Sequence, residues 1–231
     1  LHSLRRRQRQ MCIRDRDKAL DCIAMSKFED AERLISQLRT MFYSNVEINN
    51  IVLEYLEIWL QMLKDEVEFS EVVNRLESLL PFKYSEIGKY KYLVKHERMI
   101  LSTYIECLGK MEKYEAIPDY DKMTSWITNE LSKKQFASIF EDLNMRYANL
   151  YGNAGHYEKS DRIAEEGIRI EIECERMHCL NTLLYCRAWN AGERGNVSEN
   201  DKELCRCAYE IAKLKKQNIR MGLYRRWLEK Q

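Results

Sequence analysis

Chemistry on this chain would have to come from a few side chains. Beyond residue 16 the cysteines are Cys22, Cys107, Cys174, Cys179, Cys186, Cys205 and Cys207, and the histidines are His96, His156 and His178. Thiolate and imidazole are zinc ligands, and Cys174, His178, Cys179 and Cys186 lie near enough in sequence to be weighed as a metal site. On one helix Cys174 and His178, four residues apart, would share a face. Against this, the chain has neither a Cys-x-x-Cys nor a His-x-x-x-His pair. An odd set of thiols, each inside a helical pattern, reads as small apolar groups buried in a reducing cytoplasm. No metal and no cofactor is expected.

Catalytic signatures are missing from the sequence. There is no Gly-x-Ser-x-Gly, no phosphate-cradling glycine loop and no dinucleotide turn. The carboxylate pairs Glu141/Asp142 and Glu165/Glu166 read as solvated helix charges. His156 falls at an expected turn as an exposed residue, and His96 lies among charges as a solvated one. No catalytic residue, and no enzyme, is expected. Binding chemistry is better represented. Gln61, Glu106, Met145, Asn149, Tyr185 and Trp189 fall on or near what would be the concave side of paired helices. Asn and Gln amides offer both donor and acceptor to an extended peptide backbone, and Tyr and Trp give rigid contact area with a polar handle. The basic run Lys213, Lys215, Lys216, Arg220, Arg225, Arg226 and Lys230 reads first as cations at helix C-termini.

The elements that would carry these residues are helices. Only Pro81 and Pro118 break the chain, glycine is scarce at 8 residues, and strong helix formers dominate. A β-rich chain of this length needs more turn residues. No apolar run is long enough to span a membrane and no signal-peptide pattern is present. Lys and Arg total 38 against 37 Asp and Glu, a net charge of +1. Six of those arginines and only one aspartate lie in residues 1–16, so the remainder is mildly acidic and carries no general nucleic-acid signature. Residues 1–16 resemble the in-frame translation of a sequencing adapter, and are set aside as a non-native segment. The expected domain is then 17–231, with the chain a fragment whose natural start lies before Asp17.

Helical pairs repeat along 17–231. The second helix of a pair opens on Phe28, Phe69, Tyr114 or Tyr157, spaced 41, 45 and 43 residues apart. A small or apolar residue follows three positions later: Ala31, Val72, Ile117 and Ser160. The aromatic fills the gap against the first helix, and the small residue lets the two approach. The expected pairs are 18–25 with 28–40, 46–64 with 69–80, 90–109 with 114–133, 136–153 with 157–172, and 176–191 with 199–214, followed by a last helix at 218–230. Pro81 should end the second pair. Pro118 should kink or delay the second helix of the third. Ser198 or Asn200 should cap the helix after the loop at 192–201.

The clearest repeat, with Ala148, Tyr151, Gly155, Tyr157, Ser160, Ala164 and Gly167, resembles a tetratricopeptide (TPR) hairpin. HEAT repeats share the period, but the Gly-x-Tyr turn followed by small residues favours TPR. The expected fold is all-α: a right-handed solenoid of about five TPR-like helical hairpins plus a C-terminal capping helix. The stretches 150–160, 167–174, 183–190 and 208–214 are similar to the C-terminal repeat region of Gram-positive helix-turn-helix regulators of the Xre type, the peptide-pheromone-responsive ones among them. That resemblance implies a domain that binds a short peptide or protein segment in its concave groove, pairs as a homodimer, and reaches DNA only through an N-terminal helix-turn-helix head absent from this chain. It implies a cytoplasmic protein with no membrane partner. The alternative is a TPR scaffold or adaptor that mediates protein–protein interaction with no role in DNA binding.

Overall fold

The computed structural model describes residues 14–23, 25–41, 46–81, 94–117, 119–121, 123–124 and 133–231, without the side chains of residues 95 and 133–141. Helix α1 occupies 14–23. There follow α2 (Phe28–Met41), α3 (Glu47–Leu63), α4 (Phe69–Leu79) and α5 (Lys95–Lys110). A 3-10 turn covers Tyr114–Ala116, and α6 is seen at 120–121 and 123–124. Then come α7 (Lys133–Asn153), α8 (Tyr157–Glu173), α9 (Leu180–Glu193), α10 (Glu199–Leu214) and α11 (Asn218–Lys230). Among the described residues there is no strand. The first 13 residues of the adapter-like segment lie outside the described residues; Arg14, Asp15 and Arg16 form the first turn of α1.

One backbone device ends helix after helix. Ser26, Asp65, Glu112, Gly155, Glu175, Gly195 and Lys216 all adopt positive φ just past a helix. Each donates its amide three residues back, and the next residue donates five back. At α7 these bonds are Gly155 to Gly152 at 2.9 Å and His156 to Tyr151 at 2.8 Å. The pair satisfies carbonyls that the helix end leaves without partners. Glycine suits that conformation best, since an L side chain costs about 1–2 kcal/mol there. Only two of the seven are glycine, so the sequence announces two of these stops and hides five.

The chain forms two compact units, Leu1–Tyr84 with Val94–Cys107, and Ser85–Leu93 with Leu108–Gln231. In the first, Ala19, Ile23, Ala31, Leu38 and Leu56 are fully buried and join α1, α2 and α3 into one core. In the second, each of α7 to α11 packs on the next, and α7 also packs on α9. That is the arrangement expected of stacked hairpins, in which each first helix meets the first helix of the next pair. Ala188, Cys205, Ala208 and Ala212 are small and fully buried where α9, α10 and α11 meet.

The aromatic and small residues behave as read from sequence in three pairs out of four. Phe28, Phe69 and Tyr157 begin α2, α4 and α8, and Ala31, Val72 and Ser160 are each completely buried. The third pair departs. The spacing predicts one helix over 114–133, whereas Tyr114 opens only a 3-10 turn that ends at Ile117, held extended at ψ 125°. A residue before proline is driven from the helical region by the proline ring, which accounts for the extended Ile117; residues 118, 122 and 125–132 of the expected helix lie outside the described residues. Leu80, ahead of Pro81, is extended for the same reason at ψ 139° and closes α4. A second correction concerns the start of the fifth pair: α9 begins at Leu180, not at 176.

Candidate functional site

Glycines set the spacing on which the site depends. A Cβ on Gly167 would lie 2.8 Å from Leu183 Cδ1 and 3.1 Å from Asn144 Cβ, and one on Gly152 would lie 2.9 Å from Asn190 Oδ1. Only glycine lets α8 and α7 close on α9 this tightly. A buried polar knot fixes their register. The Ser160 hydroxyl donates to the Ala148 carbonyl at 2.7 Å, and the Asn190 amide donates to Ser160 Oγ at 2.8 Å and to Asp161 at 2.7 Å. Arg194 completes it with an ion pair to Asp161 at 2.7 Å.

With α7 and α9 side by side, Asp142, Arg146 and Asn149 recur at i, i+4 and i+7 on one, and Thr182, Tyr185 and Trp189 at i, i+3 and i+7 on the other. All six are half-buried. Arg220 of α11 donates to Thr182 Oγ1 at 2.6 Å. The face therefore offers a carboxylate, a guanidinium, an amide, a hydroxyl and two aromatic edges. Such a mixture suits the peptide bonds and side chains of an extended segment.

The six residues singled out from sequence are divided between the units. Gln61 and Glu106 belong to the first; Met145, Asn149, Tyr185 and Trp189 belong to the second. Gln61 Oε1 accepts from Arg75 at 2.8 Å, and Glu106 is half-buried on α5. Met145 is 7% exposed and is a core residue. Tyr185 packs against Tyr224 with tilted rings whose centroids are 4.5 Å apart and meets the edge of Trp227 at 6.5 Å; its burial pushes the phenol pKa well up. Trp189 meets Tyr157 edge-on at 6.3 Å. Both aromatics thus join helices and remain half-buried. Sequence reasoning missed Arg146 and Thr182, and reads Arg220 only as part of the basic C-terminal run. The 142-146-149 spacing on α7 was the available signal, but it could not say which helix would flank that face.

At one end of this face lies the link between α8 and α9. Glu171 is 1% exposed, and its Oε1 accepts the backbone amide of Cys179 at 2.9 Å. Lys215 donates to the carbonyls of Met177 and His178 and to Asn181 Oδ1. The carboxylate of Asp142 lies 3.8 Å from His178 Nε2, and the ligand atoms of Asp142, His178 and Cys179 are all within 4.8 Å of one another. The grouping weighed from sequence is not the one formed. Cys174 caps the end of α8 and Glu175 turns left-handed after it, so Cys174 and His178 share no helix. Cys186 faces Ser160 Oγ at 3.4 Å instead.

Burial governs the thiols. It lifts the Cys186 pKa to about 11 and that of Cys205 to about 12. Cys179 is raised further, by burial first and then by the Asp142 and Glu171 carboxylates, while Arg146 and Arg220 act the other way. All three are protonated at neutral pH. Of the histidines, His156 is exposed as expected. His96, expected to be solvated, is half-buried, and desolvation lowers its pKa. No helix among the described residues is long and apolar enough to cross a membrane.

No family model matches this chain, and no curated protein matches it. Among solved structures it is similar to Bacillus thuringiensis PlcR in complex with the peptide PapR7 and DNA, with a TM-score of 0.74 at 10% identity over 93% of this chain and 74% of that one. At that identity the likeness is one of fold: an all-helical architecture shared with a protein held by a peptide and DNA.

Proposed function

We propose that this chain is the ligand-sensing and dimerisation domain of a bacterial transcriptional regulator, and that it takes a short peptide in extended form. The observation that carries this reading is the fold likeness to PlcR, a structure that contains a peptide and DNA. The face of α7 and α9 supports it, because its amide, hydroxyl, charged and aromatic groups match the chemistry of a peptide strand. In this reading Asn149 pairs with backbone amides, Arg146 and Arg220 attract a carboxylate, and Tyr185 and Trp189 supply flat contact area. Gln61 and Glu106 remain candidates of the same kind on the first unit. DNA binding belongs to a separate helix-turn-helix head, and these helices supply sensing and pairing in the cytoplasm. The protein is not an enzyme in this account.

The test is a selection of short random peptides on the purified chain, followed by titration calorimetry with the winners. The reading expects a saturable one-to-one complex, weakened about tenfold by Asn149→Ala, equivalent to roughly 1.4 kcal/mol. The return of no short peptide would overturn this reading; a scaffold that docks protein tails would bind such peptides too, and a helix-turn-helix pattern encoded ahead of Asp17 is what the regulator alone expects.

A further inference from the structure

The link between α8 and α9 is built more heavily than a connection needs. Its two ends are pinned by groups from different helices, Glu171 on the Cys179 amide and Lys215 on the Met177 and His178 carbonyls. These bonds fix the backbone that carries His178 and Cys179. What it presents is one sulfur, one imidazole and one carboxylate, from Cys179, His178 and Asp142, gathered within 4.8 Å. A second observation points the same way. Glu171 is 1% exposed, and its other oxygen, Oε2, is buried with no hydrogen-bond partner. A buried carboxylate oxygen left without a donor is costly, and a cation held at the neighbouring cysteine would offset that cost.

We propose that Asp142, His178 and Cys179 bind a divalent transition metal of the zinc class. The mixed S, N and O set selects a borderline ion over calcium or magnesium, which take oxygen ligands. Zinc bonds of about 2.0–2.3 Å put tetrahedral ligands roughly 3.3–3.8 Å apart. The Asp142–His178 separation of 3.8 Å is already near that range, and the His178 side chain, 65% exposed, is free to rotate. The metal bonds to the Cys179 sulfur as the S–H proton leaves to solvent, so one thiolate and one carboxylate balance the two positive charges. Cys179 is the N-cap residue of α9, which fixes its backbone beside α7. The fourth position is left for water or for a shift of Glu171. The site ties α7 to the start of α9 and takes its carboxylate, Asp142, from the face of α7 and α9.

Cobalt(II) titration of the tag-free chain tests this, because thiolate-bound tetrahedral cobalt absorbs where aqueous cobalt does not. The expected result is a one-to-one complex with a thiolate charge-transfer band that excess zinc abolishes. Cys179→Ser should remove the band, and His178→Ala at an exposed position and Asp142→Asn at a half-buried one should each weaken binding at least tenfold. Cys174→Ser and Cys207→Ser should leave it unchanged. The absence of the band in wild type, its survival in Cys179→Ser, unchanged affinity in His178→Ala, or its loss in Cys174→Ser or Cys207→Ser would each overturn the assignment.

Discussion

Two helix ends in the second unit share one backbone geometry and differ in how they are held. Gly155 ends α7 with φ 79° and Glu175 ends α8 with φ 53°, and both close with the same two amide bonds. After Gly155 the chain enters α8 at Tyr157, and no side chain caps the entry. After Glu175 it travels to Leu180 before α9 begins, guided by Glu171 and Lys215. The first turn is local: glycine and the next two residues suffice. The second is tertiary, since a residue from the preceding helix and one from the following pair determine its path. The turn inside a hairpin is written in adjacent residues, whereas the turn between hairpins is written in distant ones.

Substitutions can break or sharpen that contrast. The largest effect is expected from Glu171→Ala. It removes the buried acceptor of the Cys179 amide and leaves a cavity, and should cost about 2–3 kcal/mol in urea unfolding. A cost under about 0.5 kcal/mol would mean that the link between hairpins is as local as the turn within one. Gly155→Ala comes next. A Cβ there meets nothing within 4 Å, so its cost, about 1 kcal/mol, comes from the left-handed backbone alone. A neutral outcome would show that the turn has room to relax. The smallest effect has the opposite sign: Glu175→Gly relieves the same strain and should raise stability by about 0.5–1 kcal/mol. Loss of stability instead would assign the Glu175 side chain a role that the turn geometry does not require.

The same contrast explains what could be read from the residues. Phe28, Phe69 and Tyr157 mark their helices and are half-buried there, Tyr157 against Trp189 of the next pair. Ser198 caps α10 as expected, accepting from Asp201, with the Asp201 carboxylate returning to the Ser198 amide at 2.9 Å. Pro118 was visible, but the extent of its effect was not, because the lost helical turn depends on where Tyr120 settles. That residue is buried with its hydroxyl donating to Asn144 Oδ1 at 2.7 Å. The candidate face was harder to read. From sequence Tyr185 and Trp189 read as rigid contact area on or near the concave side, yet the packing of α11 and α8 determines how much of each ring remains free. His178 and Cys179 were noticed with the wrong companions, since only the stacking of α7 beside α9 brings Asp142 to them.

The most direct test of the account is calorimetric titration of one selected peptide into three proteins: the wild type, Asn149→Ala on the face of α7 and α9, and Arg169→Ala on the exposed side of α8. Among the described residues Arg169 pairs with Glu166 and Glu173 of its own helix, so its loss reports on helix surface charge. The account predicts that Asn149→Ala weakens the peptide about tenfold while Arg169→Ala leaves it unchanged, and equal weakening by both, or by neither, would contradict it.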